Sequence, residues 1–435
     1  MTDRTPVRPA FTGRDGGPLS ILIVAEDFPW PSTGGGLIRL AKMIEAIAEL
    51  GDVDLFTLHD IRRGDEFDVP PTMKVRRVRT VCYPTAPHEM HWRLKWLAQR
   101  SLPLEVSMRM LDRSPRIQFE AWAAESYDLV WFSTAWTYVW MGRPRLGPTV
   151  IDLVDLEDEK ARQRADVLRK QRQSSHGVDS VRLTLAAAQA EKNARDWTAM
   201  QKSVAAEVDR VVLCSESDVQ RSGFPNALSI PNTYPEPIRQ MGSVEVGDPP
   251  VVLLQGSLRY APNIDGAEWL VTEIGPLLRK RMPTAQIRLV GRATAGVERH
   301  DNPPQVVVTG LVPDIEPELE RADLAVVPLR IGSGTRLKIL ESFAHRIPVV
   351  STRLGADGLD VEDGVHLLLA DDAESFAEAC ERLLTDPELR KRLVTAAEEL
   401  YLDRYEWTAA KEKVWQVAAE VTQGSPDIPG SMPSA

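Results

Sequence analysis

The 435-residue sequence contains only three cysteines, Cys82, Cys214 and Cys380, and they lie far apart. This spacing predicts neither a disulfide framework nor a zinc site. Basic residues are outnumbered by acidic ones, which gives a net charge of −11. Proteins that bind nucleic acid through its phosphates usually present a basic surface. We therefore expect no nucleic-acid partner and no structural metal.

Long apolar runs are also lacking. Residues 1–18 are polar and contain no apolar core of the length that a signal peptide needs, and no later run reaches membrane-spanning length. The composition, 43% hydrophobic and 26% charged, is ordinary for a soluble globular protein. A chain of this length has room for two or three domains. A cytoplasmic protein fits these features.

The stretch 324–352 predicts a strand, a glycine loop, a helix and a second strand in close succession. The Gly332-Ser333-Gly334 loop opens the helix, where free backbone N–H groups at the positive end of the helix dipole favour an anion. Lys338 and Glu341 lie one turn apart on one face, so a cation and a carboxylate can serve one ligand, such as a nucleoside diphosphate. A plain turn followed by a solvated ion pair explains the same residues.

Strands alternate with helices elsewhere in the chain, which predicts parallel, doubly wound sheets. Near the N-terminus, a strand at Ile21–Ala25 is followed by Gly34-Gly35-Gly36 and an amphipathic helix, the same plan as in the 324–352 stretch. Asp52-Val53-Asp54 matches the letters of the DxD metal motif. We discount that match because the residues lie at the start of a strand directly after a helix, where acidic residues commonly mark a turn.

The residues Glu341, Ala344, Pro348, Val349 and Val350 resemble the donor-site motif of the retaining GT-B glycosyltransferases, in particular glycosyltransferase family 4. That motif has two glutamates separated by seven residues. Glu341 matches the second, which in the family holds the donor ribose, whereas Ser333 stands at the position of the first, which touches the transferred sugar.

The resemblance also implies site residues. Arg259, Lys338 and Glu341 are implied as catalytic, with the two cations and the N–H groups of Gly334 and Thr335 stabilising the leaving diphosphate. A surface-turn role for Arg259 stays open. The implied donor-binding residues are Gly256, Ser257, Leu311, Ser333, Gly334, Thr335 and Leu337, and the N-terminal glycine loop is Gly34, Gly35 and Gly36.

The fold implied by the resemblance is GT-B, an α/β architecture of two Rossmann-like domains that face a cleft. The expected organisation is a disordered tail over 1–18, an acceptor domain over 19–234, a linker over 235–250, a nucleotide-sugar domain over 251–404, a crossover helix over 405–422 that packs on the N-terminal domain, and a disordered tail over 423–435.

The expected activity is transfer of a sugar from a nucleotide-diphosphate donor to an acceptor hydroxyl with retention of anomeric configuration, without metal or other cofactor. The acceptor is left as a small molecule, a glycan or a lipid-linked sugar. Two alternatives stay open: a GT-B isomerase acting on a nucleotide sugar, and a non-catalytic nucleotide-sugar-binding or scaffold protein, for which Ser333 is the chief support.

A predicted helix over residues 90–100 places Trp92 and Trp96 together, beside Arg93, Lys95 and Arg100. Tryptophan with basic residues suits an anionic membrane surface, which would make the protein weakly peripheral at the inner face of the membrane. The other interpretation, which we favour, is that both tryptophans pack into the N-terminal domain or line the acceptor pocket.

Overall fold

The computed structural model describes residues 11–14, 16–30, 35–60, 68–83, 96, 102–154, 156–173, 177–235, 245–332 and 337–423. The chain forms two compact units: the first comprises Met1–Ile230 together with Ala410–Ala435, and the second comprises Pro231–Ala409. Of the predicted tails and linker, residues 1–10, 15, 236–244 and 424–435 lie outside the described residues.

The first unit is built on a seven-stranded parallel sheet with the order β3-β2-β1-β4-β5-β6-β7. At its centre, Leu129–Phe132 is apolar and fully buried, and the neighbouring strand Leu19–Ala25 is buried except at Ser20, as expected for a parallel sheet covered on both faces. The strands are β1 (Leu19–Ala25), β2 (Gly51–Asp60), β3 (Val75–Tyr83), β4 (Leu129–Phe132), β5 (Thr149–Asp152), β6 (Arg210–Leu213) and β7 (Ala227–Ser229).

Helices connect these strands. They are α1 (Gly35–Ala48), α2 (Leu104–Arg109), α3 (Ser114–Trp122), α4 (Ala135–Trp140), α5 (Glu157–Gln173), α6 (Gly177–Ala205) and α7 (Glu216–Ser222). Two of them, α5 and α6, form a charged helical pair, and an ion pair between Arg169 and Glu191 (2.7 Å) links them. In α1, Arg39 makes a buried two-pronged contact with Asp152 (2.7 and 3.1 Å), which ties the helix to the end of β5.

The second unit has a six-stranded parallel sheet with the order β10-β9-β8-β11-β12-β13. Its strands are β8 (Val251–Gln255), β9 (Gln286–Val290), β10 (Val306–Gly310), β11 (Leu324–Val327), β12 (Val349–Ser351) and β13 (Leu368–Leu369). Its helices are α8 (Ala261–Trp269), α9 (Gly275–Arg281), α10 (Ala295–Glu298), α11 (Glu316–Glu320), α12 (Leu337–Ala344), α13 (Ala373–Thr385) and α14 (Pro387–Leu400). The prediction of two parallel, doubly wound sheets is confirmed.

The C-terminal helix α15 (Trp407–Gln423) follows a π-helical turn at Tyr401–Tyr405, and its residues from Ala410 onward belong to the first unit. Trp415 Nε1 donates to the carbonyl oxygen of Ala46 in α1 (2.9 Å). Lys411 pairs with Glu49 at 2.7 Å. None of the helices in the described ranges is long and apolar enough to cross a membrane.

Trp96 packs inside the first unit. Its side chain is 3% exposed, its Nε1 donates to the carbonyl oxygen of Leu102 (3.0 Å), and the ammonium of Lys192 lies 4.2 Å from the ring centre. Trp96 is therefore not available to a membrane surface. Trp92, Arg93, Lys95 and Arg100 lie outside the described residues.

Asp54, from the DxD-like triplet, is fully buried on β2. Its Oδ1 accepts from Arg76 Nε (2.8 Å), and its Oδ2 accepts from Arg77 (2.6 Å) and from the Tyr127 hydroxyl (2.9 Å). Burial alone would raise the pKa of Asp54, but these hydrogen bonds outweigh it and the pKa is lowered. Because the pKa of Asp54 is lower in the folded state than in the unfolded state, its carboxylate stabilises the fold when the pH is above the unfolded-state pKa. This contribution is lost as the pH falls through the folded-state pKa.

Asp54→Asn should therefore destabilise the first unit by about 2 kcal/mol near neutral pH, since both arginines lose a buried anionic partner. The midpoint of urea unfolding should fall at pH 7, and the difference from wild type should shrink at pH 3. The control is Asp52→Asn, which changes the exposed neighbour. An Asp54→Asn midpoint equal to wild type at pH 7 would show that the network contributes no stability.

Candidate functional site

Two glycines meet at the carboxyl edge of the second sheet. Gly256 follows β8 and Gly291 follows β9, with φ values of +128° and +136° that side-chain-bearing residues rarely adopt. A Cβ on Gly291 would lie 2.0 Å from the carbonyl oxygen of Gly256. The two backbones therefore approach as closely as glycine alone permits. In parallel α/β sheets this edge is where ligands bind.

Lys338, in the first turn of α12, reaches the same place. Its Nζ donates to Asn263 Oδ1 at 2.8 Å, and Asn263 Nδ2 donates to the carbonyl oxygen of Ser257 at 2.9 Å. The Nζ lies 3.5 Å from the position of a Cβ on Gly256. The structure thus brings Gly256, Ser257 and Lys338 together, with Asn263 as the link between them.

Glu341, one turn further along α12, is partly buried, and both of its carboxylate oxygens accept hydrogen bonds. The Tyr234 hydroxyl donates to Oε1 at 2.8 Å, and Gln255 Nε2 donates to Oε2 at 3.2 Å. Gln255 is the last residue of β8, directly before Gly256. The carboxylate therefore lies beside the glycine pair and on the same helix face as Lys338.

The remaining predicted donor residues have different settings. Arg259 is exposed on the loop after β8, and its only hydrogen bond within the described ranges runs from Nε to the Ala293 carbonyl at 3.5 Å, the long limit for such a bond. Leu311 follows β10 and is 66% exposed. Leu337 is partly buried and packs on the apolar cluster beneath α12.

Several predicted residues lie outside the described residues, namely Ser333, Gly334, Thr335 and Gly34. Gly35 begins α1, and a Cβ on Gly36 would meet open space. In the part of the chain that the structure describes, no three His, Cys, Asp or Glu side chains lie close enough together to hold a metal ion.

Three residues of this site, Asn263, Tyr234 and Gln255, were not predicted from the sequence. Each carried a weak signal. Gln255 is a polar residue that ends an otherwise apolar strand, Asn263 lies in the first turn of the helix after the Gly256 loop, and Tyr234 lies near the start of the second unit, in the segment before β8. The sequence does not show that all three side chains contact residues of α12.

The first unit has a polar cluster at the carboxyl ends of its strands. Glu26, directly after β1, receives a hydrogen bond from Trp136 Nε1 at 3.2 Å, and its backbone N–H donates to Ser133 Oγ at 2.8 Å. Beside it, His59 Nδ1 and Asp27 Oδ1 lie 2.8 Å apart, both buried. The cluster occupies the ligand-binding edge of a parallel sheet.

Burial, and next the charge of Glu157, raise the pKa of Glu26 to about 7, against the lowering effects of Trp136, Arg109 and Lys160. The folded state therefore holds an extra proton between the ordinary carboxyl pKa of 4.5 and about 7, and its stability falls as the pH rises through that window.

Glu26→Gln removes this ionisation, so the melting temperature of the variant relative to wild type should be higher at pH 8.5 than at pH 5. Differential scanning fluorimetry across this range measures the effect, with exposed Glu125→Gln as the matched control. A difference that does not change with pH would mean that Glu26 titrates normally.

Parts of this chain are similar in sequence to known proteins. Residues 249–386 match the family described as Glycosyl transferases group 1. An 83-residue stretch, 19% of this chain, is 37% identical to the lipopolysaccharide core biosynthesis glycosyltransferase LpsE of Rhizobium meliloti and covers 24% of that protein. The chain spans only 35% and 24% of the lengths of two curated relatives that it matches.

Solved structures match over nearly the whole chain. Sucrose-phosphate synthase from Thermosynechococcus elongatus superposes with a TM-score of 0.65 at 18% identity, covering 93% of this chain and 100% of that one. Anabaena HepE, in complex with UDP and glucose, gives 0.57 at 15% identity, covering 92% and 100%. At such identities the likeness shows the fold. The predicted GT-B architecture and the resemblance to group 1 glycosyltransferases are confirmed.

Proposed function

We propose, starting from the match of residues 249–386 to the group 1 glycosyltransferases, that this GT-B protein transfers a sugar from a nucleotide-diphosphate donor to an acceptor hydroxyl with retention of anomeric configuration. The observation that carries the proposal is the convergence of Lys338, Glu341 and the Gly256–Gly291 pair at one edge of the second sheet. A cation, a carboxylate and closely approachable backbone are the groups that a nucleoside diphosphate requires.

Lys338 would act on the leaving group. As the bond between the anomeric carbon and the phosphate oxygen breaks, its electrons pass to the diphosphate, and the ammonium stabilises the charge that develops there. Arg259, whose guanidinium is exposed on the neighbouring loop, and the N–H groups of Gly334 and Thr335 would add to this. The new bond forms to the acceptor oxygen on the face that the diphosphate leaves, and the acceptor proton passes to the departing phosphate.

Glu341 would hold the ribose, since its carboxylate accepts hydrogen bonds from hydroxyls. The exposed Leu311, after β10, would lie against the base. The bound UDP in the Anabaena HepE structure supports a nucleoside diphosphate as the donor's leaving group.

The first unit would supply the acceptor site. Support comes from the cluster of Glu26, Trp136, Asp27 and His59 at the carboxyl edge of its sheet. The name of the relative LpsE, which acts in lipopolysaccharide core biosynthesis, favours a glycan or lipid-linked sugar as the acceptor class. We place the reaction in the cytoplasm, where nucleotide sugars would meet such an acceptor.

The decisive assay incubates the protein with UDP-, GDP- and ADP-sugars, each with and without an acceptor panel, and measures free nucleoside diphosphate. A transferase releases it only when an acceptor is present. Loss of the donor without release would indicate an isomerase. Binding without any turnover across the panel would indicate a non-catalytic protein, and either result would overturn the proposal.

Transfer should not require a divalent ion, because Lys338 and the helix N-terminus would neutralise the diphosphate. Turnover with the best donor is therefore expected to be unchanged in excess EDTA. The measurement is the initial rate with and without chelator, followed by addition of Mg²⁺ or Mn²⁺. A complete loss that either metal restores would contradict this assignment.

A further inference from the structure

Two side chains donate hydrogen bonds to the carboxylate of Glu341. Tyr234 lies in the segment of the second unit that precedes β8, and Gln255 ends β8 itself. Each donates to a different oxygen of the carboxylate, at 2.8 Å and 3.2 Å respectively. The plane of the carboxylate is therefore fixed by two donors rather than one.

Tyr234 is itself held in place along its backbone. Its N–H donates to the Tyr405 carbonyl (3.2 Å), and its own carbonyl accepts from the Tyr401 hydroxyl (3.0 Å). Its ring meets the edge of the buried His345 ring, with centres 5.9 Å apart. Burial, and next the charge of Glu341, raise the pKa of Tyr234 well above its usual range, so the hydroxyl keeps its proton and remains a donor.

Gln255 is 3% exposed, and its Oε1 has no hydrogen-bond partner among the described residues. An unpartnered buried carbonyl costs free energy. The opposite orientation of the amide would point this oxygen at the Glu341 carboxylate, where two acceptors would repel each other. The orphaned Oε1 is thus a consequence of directing Nε2 at Glu341.

A carboxylate offers about four acceptor positions. Tyr234 and Gln255 occupy one on each oxygen, which leaves one on each oxygen for a ligand. Glu341 is only partly buried. The two remaining acceptor positions match in number the two neighbouring hydroxyls of a ribose.

We propose that Tyr234 and Gln255 are positioning residues that orient Glu341 toward the vicinal 2′- and 3′-hydroxyls of the donor nucleotide and thereby make the site selective for ribonucleotides. This inference rests on the proposed function, because it takes Glu341 as the ribose ligand. Neither residue needs to touch the nucleotide, since both act through the carboxylate.

The test measures binding of UDP and of 2′,3′-dideoxy-UDP by isothermal titration calorimetry, with the guanosine and adenosine pairs as further probes. Wild type should bind the ribonucleotide at least about tenfold more tightly than its dideoxy analogue, since hydrogen bonds to a charged group are strong. Tyr234→Phe should reduce this ratio to about threefold or less by weakening the ribonucleotide alone. Gln255→Met should act in the same direction.

The matched control is Thr385→Val, which removes a hydroxyl that donates to the Glu381 carbonyl (2.8 Å) at the end of α13 in the same unit. It should leave the ratio unchanged. Equal weakening of both nucleotides by Tyr234→Phe, or an unchanged ratio in Tyr234→Phe and Gln255→Met, would refute the inference and leave the proposed function standing. If wild type binds none of the nucleoside diphosphates, the proposed function fails, and this inference fails with it.

If Tyr234→Phe does not fold, Gln255→Met decides the question alone, because it changes the other oxygen's partner and leaves the Tyr234 contacts intact. A wild-type ratio near one would also refute the inference, since an oriented carboxylate would then have no ribose to recognise.

Discussion

Lys338→Ala is expected to lower kcat by about 10²- to 10³-fold while the protein stays folded. The ammonium lies 3.5 Å from the position of a Cβ on Gly256, and a preorganised donor to a developing anion contributes about 3–4 kcal/mol to the transition state. The substitution removes the hydrogen bond from Lys338 to Asn263. The Asn263 amide still donates to the Ser257 carbonyl, so the fold is expected to persist. Steady-state kinetics and a melting curve measure the two effects separately.

The control for this variant is Lys391→Ala, which removes an exposed lysine on α14 of the same unit. It should leave kcat unchanged. If Lys338→Ala turned over at nearly the wild-type rate with saturating donor, Lys338 would not stabilise the leaving diphosphate, and another cation would have to do so.

Gly291→Ala is expected to destabilise the second unit by about 3 kcal/mol or more. The backbone there has φ +136°, and the added Cβ would lie 2.0 Å from the Gly256 carbonyl oxygen, so backbone atoms must move apart. The displaced loop carries Gly256 and Ser257, so binding of nucleoside diphosphates should weaken as well. Urea unfolding and titration calorimetry measure the two effects.

Gly296→Ala is the matched control, because the nearest atom to its added Cβ, Thr294 Oγ1, lies at 3.8 Å in ordinary contact. Since Gly296 lies in helix α10, alanine there should be neutral or slightly stabilising. If Gly291→Ala unfolded at the same urea concentration as Gly296→Ala, the close approach of Gly256 and Gly291 would make no difference to the free energy of unfolding.

The sheet strands and their order of alternation with helices were accessible from sequence because they depend on local apolar runs and glycine turns. The strand predicted within the stretch 324–352 is present as β11, and the helix that follows it contains Lys338 and Glu341 on one face as expected. Such features need only neighbouring residues, and the period of the pattern reports them directly.

The partners of Glu341 were not accessible in the same way. Tyr234 lies 107 residues away in the chain and Gln255 lies 86 residues away, and only the folded sheet brings them to α12. The environment of Trp96 was likewise not predictable from the local sequence, because a tryptophan at a membrane surface and a tryptophan packed in the interior give the same helical pattern. The packing of Trp96 against Lys192 is a property of the unit and not of the local sequence.

We propose that the carboxyl edge of the second sheet binds a nucleoside diphosphate through Lys338 and Glu341. The decisive measurement is titration calorimetry of UDP, GDP and ADP into wild type and Glu341→Ala. At least one nucleotide should bind wild type with one site per chain and should bind Glu341→Ala at least about tenfold more weakly. Absence of binding by all three nucleotides, or equal affinity for wild type and variant, would refute this role of the sheet edge.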